Sequence, residues 1–355
     1  MSIAVSVIVP VYNGEAFLRE CLDSIARQTL HDIEILCVDD GSRDGSAAIL
    51  GEYAEKDPRF RFLPQENQGV SAARNRAMAL ARGDFLAFMD CDDFYPADDV
   101  LEKLHSASVA NEADIAGGSL GELYPDGHAV SEFSGKRAPL RFGKAGWIDF
   151  VDFPFEYAFQ RFLFRRSLIV ENKLEYPPYR TYEDPVFLVR ALIAAKRFYA
   201  IPDPVYMYRQ RGTARTYTPE AVRDLVSGGL DILRAAEEAG LAELRRKYAE
   251  DFFGDFSEGD ESAAGNLCVG QLLDGDIPLA KQLLSASDAL GGKLIAPLAR
   301  ILGPADARIT TDFFDSPGWT AACARFRRMR RICGFFRCLR ENGLLYTVRR
   351  ALKRR

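Results

Sequence analysis

The chain of 355 residues has few of the side chains that most metal centres and proton shuttles use. Its three histidines, His31, His105 and His128, are scattered through segments that read as loops or helix surfaces. None of them is expected to be a ligand or a base. The seven cysteines (Cys21, Cys37, Cys91, Cys268, Cys323, Cys333 and Cys338) are odd in number, and no spacing among them resembles a zinc or disulfide framework. Cys37 lies in an apolar run and reads as a small core residue. Reduced thiols and a cytoplasmic setting follow as expectations. No apolar stretch reaches the roughly 18 residues needed to span a bilayer. Polar residues Asn13, Glu15, Arg19 and Glu20 arrive before the apolar region of a signal peptide could form. Three common motifs are also missing. Without Gly-x-Gly-x-x-Gly after the first apolar run, a nicotinamide-binding Rossmann site is not expected. Without Gly-x-x-x-x-Gly-Lys-Ser/Thr there is no P-loop, and no Gly-x-Ser-x-Gly elbow marks a hydrolase nucleophile.

What is present is an ordinary globular composition, 48% apolar and 27% charged, with enough length for a well-buried core. The net charge of −5 is unevenly spread. Residues 321–355 carry 12 Lys/Arg and one acidic residue, Glu341, a balance of +11 that leaves −16 on residues 1–320. This pattern is that of an acidic body with a basic appendage.

Residues 3–11 form a continuous β-branched run, expected to be a strand buried on both faces of a parallel sheet. Apolar residues Phe17, Leu18, Leu22 and Ile25 then recur at helical spacing. Ile33–Val38 reads as a second strand, residues 44–56 as a helix, Arg59–Leu63 as a third strand and Val70–Ala81 as an Ala-rich helix. Phe85–Met89 reads as a fourth strand. Such alternation implies right-handed crossovers and a parallel sheet with helices on both faces, an α/β architecture. A further helix and a strand (Ile115–Ser119) follow, then a polar, Gly-rich stretch over 120–150 that reads as loop or irregular strand. Thr181–Lys196 reads as a loop entering a helix and Pro202–Arg209 as a short strand. Ala221–Ala239 and Leu241–Phe253 read as helices.

In open sheets of this kind ligands bind outside the carboxyl ends of the strands. Two acidic clusters stand at such ends and are expected to share one edge of the sheet. Asp90-Cys91-Asp92-Asp93 offers hard oxygen ligands suited to Mg²⁺ or Mn²⁺ held jointly with phosphate oxygens, although Asp92 or Asp93 could equally start the next helix. In Asp39-Asp40-Gly41-Ser42, a carboxylate could accept a hydrogen bond from a uracil or thymine N–H, or cap a turn. Gly69 precedes a helix whose N-terminus can face phosphate. Arg74 on that helix could pair with diphosphate or with the acidic cluster, or lie on the surface.

Together these segments resemble family 2 glycosyltransferases with the GT-A fold. The matching residues are Val7-Ile8-Val9-Pro10-Val11-Tyr12-Asn13, Val38-Asp39-Asp40-Gly41-Ser42, Asn67-Gln68-Gly69 with Ala73-Arg74-Asn75, and Met89-Asp90-Cys91-Asp92-Asp93. The resemblance is strong over about residues 3–100 and looser to about 215. It implies a nucleotide-sugar domain with Pro10 and Tyr12 against the base, Asp40 on the uracil ring with Asp39 beside it, and Asn67, Gly69 and Arg74 near the diphosphate. It implies Asp90 and Asp92 as an Asp-x-Asp motif binding Mn²⁺ or Mg²⁺, with Asp92 the more direct contact. Further on, Phe164-Arg165-Arg166-Ser167-Leu168 and Val205-Tyr206-Met207-Tyr208-Arg209 resemble segments of bacterial polysaccharide glycosyltransferases. Tyr182-Glu183-Asp184 resembles their Glu-Asp motif, which implies Asp184 as general base with Glu183 beside it. On the residues alone, that pair could be an N-terminal charge pair of a helix. Arg161-Phe162-Leu163 stands where many relatives have Asn-Lys-Leu. A sugar nucleotidyltransferase or a non-catalytic nucleotide-sugar scaffold are the alternatives.

The expected organisation is a GT-A domain over 1–215, a helical region over 216–320 and a basic amphipathic tail over 321–355. Phe326, Met329, Ile332, Phe335, Phe336 and Leu339 form an apolar stripe among the tail's arginines, which reads as contact with an anionic membrane surface rather than with nucleic acid. The resemblance implies as partners a nucleoside-diphosphate sugar, UDP-linked, and a glycan or lipid-linked acceptor. The implied location is cytoplasmic, on the inner face of the plasma membrane.

Overall fold

The computed structural model describes residues 3–152, 157–211 and 219–254. Chain contacts divide it into two units, residues 1–216 with 231–248, and residues 217–230 with 249–355. The expected basic tail, and all of the expected helical region beyond residue 254, lie outside the described residues.

The first half alternates as its periodicity requires: β1 (Val5–Val11), α1 (Glu15–Ala26), β2 (Ile33–Asp39), α2 (Ser46–Lys56), β3 (Phe60–Pro64), α3 (Val70–Leu80), β4 (Phe85–Phe88) and α4 (Val100–Ala110). Every residue of β1 and β2 is buried, which is why both read as unbroken apolar runs rather than alternating ones. β5 (Ile115–Leu123), β6 (Ala129–Val130), β7 (Gly146–Asp149) and β8 (Phe162–Arg165) follow, then α5 (Arg166–Glu171), α6 (Glu183–Ala195) and β9 (Arg197–Arg209). Two helices, α7 (Pro219–Glu238) and α8 (Ala242–Gly254), end the described chain. No described helix is long and apolar enough to cross a membrane.

The sheet order is β3-β2-β1-β4-β8-β5-β9-β7, with β6 on β5. β3, β2, β1 and β4 are parallel neighbours, and β5 and β9 are parallel to each other. β8 is wedged antiparallel between β4 and β5, and β7 closes the far edge antiparallel to β9. This is the mostly parallel GT-A sheet expected from the sequence, with two differences. The 120–150 stretch supplies β6 and β7, short strands whose alternation is too brief to stand out. β9 starts at Arg197, five residues before the expected Pro202. Pro202 is accommodated because the register with β5 slips there, from Gly117 opposite Ala200 to Ser119 opposite Pro204, so its missing N–H falls in a bulge.

The register carries function. Val11 lies opposite Asp39, and the Asp40 amide donates to the Val11 carbonyl at 2.8 Å. The Met89 amide donates to the Ile8 carbonyl at 3.0 Å, so the chain leaving β4 emerges at that same edge. Behind the edge, the Phe88 ring lies 5.4–5.9 Å from Phe159, Phe164, Tyr176 and Phe187, and Tyr176 stacks on Phe187 at 4.1 Å. This aromatic core fixes the floor on which the acidic groups rest.

Candidate active site

Asp90 leaves the sheet two residues past β4 with both carboxylate oxygens engaged. Oδ1 accepts from Arg74 Nη2 at 2.8 Å and Oδ2 from Gln160 Nε2 at 2.7 Å. Its amide donates to Tyr206 Oη at 3.1 Å, and that hydroxyl donates to Asp93 Oδ2 at 2.7 Å. Asp93 Oδ1 accepts from the Arg209 amide at 2.7 Å. Asp93 is buried, and burial followed by the charges of Asp90 and Asp92 lifts its carboxyl well above the ordinary range. Asp92 turns outward and accepts both Nε (2.8 Å) and Nη2 of Arg211 on a single oxygen, Oδ2.

Arg74 is the keystone. The alternative of a surface arginine does not hold: it is 4% exposed, on the second turn of α3, under the rings of Phe159 and Tyr176 at 4.8 and 5.1 Å. One guanidinium nitrogen meets Asp90 and the other meets Glu183 Oε1, each at 2.8 Å. It thereby ties the Asp-x-Asp turn to the N-terminus of α6, 93 residues later in sequence (183 − 90). Asp184, next to Glu183 and half-buried, has its carboxyl pushed up to about 7, chiefly by burial and then by Glu183, with Arg74 opposing and Asp90 adding. A carboxyl titrating near neutrality is what proton abstraction needs.

The other expected residues line the neighbouring strand ends. Pro10 is buried within β1, and Tyr12, just past it, is 48% exposed. Asp40 is buried and fully used by its own chain: Oδ1 accepts from Gln65 Nε2 (2.7 Å) and the Gln68 amide (2.8 Å), and Oδ2 from the Gly69 amide (2.8 Å). Asn67 Nδ2 donates to the Asp40 carbonyl at 3.0 Å. Gly69 sits at φ 91°, ψ 162°, a conformation open essentially to glycine, and this aims its amide at Asp40. Asp39 accepts the Ser42 amide (3.1 Å, on Oδ1), and its Oδ2 faces no partner among the described residues. Of the two aspartates, Asp40 shapes the 65–69 turn and Asp39 keeps acceptor capacity. Gly14 lets this side approach the acidic turn, because a Cβ there would meet Cys91 Sγ at 2.9 Å.

Sequence reasoning missed Gln160, Tyr176 and Arg211, and quoted Tyr206 and Arg209 without a role. Nothing in their local pattern marks them; each acts through a partner more than 65 residues away or through a ring face. Arg161, at the departure from the relatives' Asn-Lys-Leu, is wholly buried. It donates to the carbonyls of Pro139, Leu140 and Gly118 at 2.9, 3.0 and 3.3 Å, and burial pushes its pKa down to about 9. It braces the interior under β5 and does not face the site. His128 pairs with Asp126 and His105 packs on Phe85, both away from these groups.

Asp90 and Asp92 fit a divalent cation in donor type and charge, with Asp92 Oδ1 open among the described residues and Asp90 needing to release Arg74 or Gln160 to reach it. Their oxygens are hard, repulsion among three neighbouring carboxylates is visible in Asp93, and Asp92 Oδ1 has no described donor. No three His, Cys, Asp or Glu side chains converge on a metal position among the described residues.

A mostly parallel sheet whose strand ends carry an Asp-x-Asp turn, an Asp-Asp turn and a helix-start carboxylate pair defines the class of GT-A nucleotide-sugar domains. Residues 6–168 match the model of glycosyl transferase family 2. The chain is 34% identical over 223 residues to the uncharacterized glycosyltransferase EpsJ of Bacillus subtilis, covering 61% of this chain and 63% of that one. It is 31% identical over 250 residues to the poly(ribitol-phosphate) beta-glucosyltransferase of Bacillus spizizenii, covering 68% of this chain and 38% of that one. The matches thus span under two thirds of those relatives' length. In fold, S. aureus TarS 1–349 in complex with UDP superposes with a TM-score of 0.66 at 20% identity, covering 92% of this chain and 91% of that one.

Proposed function

We propose that the protein is an inverting glycosyltransferase that moves a sugar from a nucleoside-diphosphate sugar, UDP-linked, to a glycan or lipid-linked acceptor of a cell-surface polysaccharide. The observation that carries this reading is the Asp90–Arg74–Glu183 bridge, which holds the donor-side carboxylates and the candidate base in one charged cluster. Relatives support the class, since they include a polyol-phosphate glucosyltransferase.

In this mechanism Tyr12 stacks at the base and Asp39 Oδ2 accepts its N–H, while Asp40 holds Asn67 and Gly69 in the turn that faces the phosphates. Asp90 and Asp92 would hold Mn²⁺ or Mg²⁺, which when bound neutralises charge on the departing diphosphate. Asp184 takes the proton from the acceptor hydroxyl as the acceptor oxygen attacks the anomeric carbon from the face opposite the leaving group. One displacement inverts that centre. Glu183 keeps Arg74 in place and does not move a proton.

Asp184→Asn tests the assignment. Transfer should fall by about a thousandfold, within the usual range for a general base, while binding of UDP measured by calorimetry stays within twofold. Retention of most activity would rule out Asp184 as the base.

We also propose that residues 321–355 bring the enzyme to an anionic inner leaflet, on the strength of their +11 balance and apolar stripe.

A further inference from the structure

Three arginines surround the acidic turn, two of them paired with its carboxylates, and they are held very differently. Arg74 is 4% exposed, shared with Glu183 and covered by two rings. Arg209 is clamped through its amide to Asp93, through Nε to the Asp92 carbonyl at 2.9 Å and through Nη2 to Glu20, with its guanidinium over the Phe17 and Phe94 rings at 4.5 and 5.5 Å. Arg211 has the Asp92 carboxylate as its one described partner, and its side chain is 67% exposed. Both of its N–H groups crowd onto one oxygen, instead of the fork-to-fork pairing a lasting Arg–carboxylate contact adopts. Asp92 is itself only 16% exposed, at the strand end where a donor diphosphate would lie.

We propose that Arg211 is an exchangeable resident cation of the donor site: it neutralises Asp92 in the absence of donor, gives way to the divalent cation there, and then pairs with the donor diphosphate. The inference rests on the reading of Asp92 as a cation-binding carboxylate. A guanidinium and a divalent cation cannot both sit at Asp92 without strong like-charge repulsion, and Arg211 is the member of the trio with no second anchor among the described residues. Once displaced, a planar, always-charged fork on an exposed strand end stands within a side chain's reach of the incoming phosphates, to which it binds in preference to water. Exchange of this kind makes metal and donor binding mutually reinforcing: the metal frees the arginine, and the arginine then adds to donor affinity. It also keeps an acidic turn folded without a metal, so that the donor site survives when the ion leaves with the product.

The test uses Mn²⁺ alone and then UDP. Binding of Mn²⁺ to the donor-free full chain is followed by loss of the free-ion electron paramagnetic resonance signal for wild type, Arg211→Ala, Arg211→Lys and Asp92→Asn, with thermal melts confirming that each is folded. An exposed ion pair is worth a factor of a few, so Arg211→Ala should bind Mn²⁺ about threefold to tenfold more tightly than wild type. Arg211→Lys should stay close to wild type, since the charge remains. At saturating Mn²⁺, Arg211→Ala should bind UDP about tenfold more weakly, the loss of one charge-assisted pair. Equal or weaker Mn²⁺ affinity in Arg211→Ala, with Asp92→Asn still abolishing it, would overturn the inference and leave the function intact. Failure of wild type and Arg211→Ala alike to bind Mn²⁺, with or without UDP, would sink the metal reading and this inference with it.

Discussion

At the scale of single residues, the proposed mechanism turns on Asp184 and Arg74. Asp184 is active as a base only when deprotonated, and its carboxyl is raised to about 7. The rate of transfer, as kcat/KM, should therefore climb with pH along an acid limb centred near 7 and level off above it. Arg74 lowers that pKa, so its removal moves the limb to higher pH. Arg74→Ala also strips the partner from Asp90 and Glu183. Breaking a buried pair from one side costs about 3–5 kcal/mol, and chemical denaturation should show a loss of that size. Arg74→Lys, which restores charge without the two-sided fork, should recover part of the stability but not the tie between the two turns. The sequence marked Asp90 and Asp92 as candidates because carboxylates clustered at a strand end are conspicuous, and Asp184 only through the family resemblance. It hid Arg74's burial, because a lone arginine on an Ala-rich helix looks the same whether it faces solvent or an ion pair. It gave no sign of how the Asp-Asp pair is divided between its own turn and the open strand end. Only the three-dimensional turn shows that Asp40's oxygens are consumed by Gln65, Gln68 and Gly69.

At the scale of elements, the site depends on β9 returning to the acidic turn. Tyr206 on that strand donates to Asp93 and accepts from the Asp90 amide, and Phe94 bridges to Met207. Tyr206→Phe leaves a buried carboxyl and an amide short of a partner, at a cost of about 1–3 kcal/mol. We expect a lower denaturation midpoint and weaker UDP binding together; an unchanged UDP affinity would separate β9 from the donor site. The turn after β3 depends on one backbone conformation. Gly69→Ala meets no steric neighbour, so its cost comes from φ alone, about 1–3 kcal/mol for a non-glycine residue held there. The loss should appear as weakened nucleotide binding with the sheet intact by far-UV circular dichroism. Long apolar strands and Ala-rich helices were readable because their periodicity reports burial directly. β8 was not, because four residues of antiparallel insertion between β4 and β5 are specified by long-range packing of Phe162 and Phe164 and by no local turn signal.

At the scale of the whole molecule, charge is segregated, with −16 on residues 1–320 and +11 on residues 321–355. A basic segment of that size should carry the chain to vesicles rich in anionic lipid, and attraction should weaken steeply as salt rises and the Debye length shrinks. Flotation of the full chain with such vesicles, but not of a 1–320 truncation, is the expected result; equal flotation of both would remove the tail from the account. The central claim is that the carboxylates of residues 90 and 92 join protein, cation and diphosphate. The direct measurement is calorimetric titration of UDP into wild type and Asp92→Asn, each with and without Mn²⁺. The account predicts that Mn²⁺ tightens UDP binding to wild type by about tenfold or more, the effect of a ligand that binds the site jointly with another, and does nothing for Asp92→Asn. UDP affinity that is the same in all four titrations would contradict it.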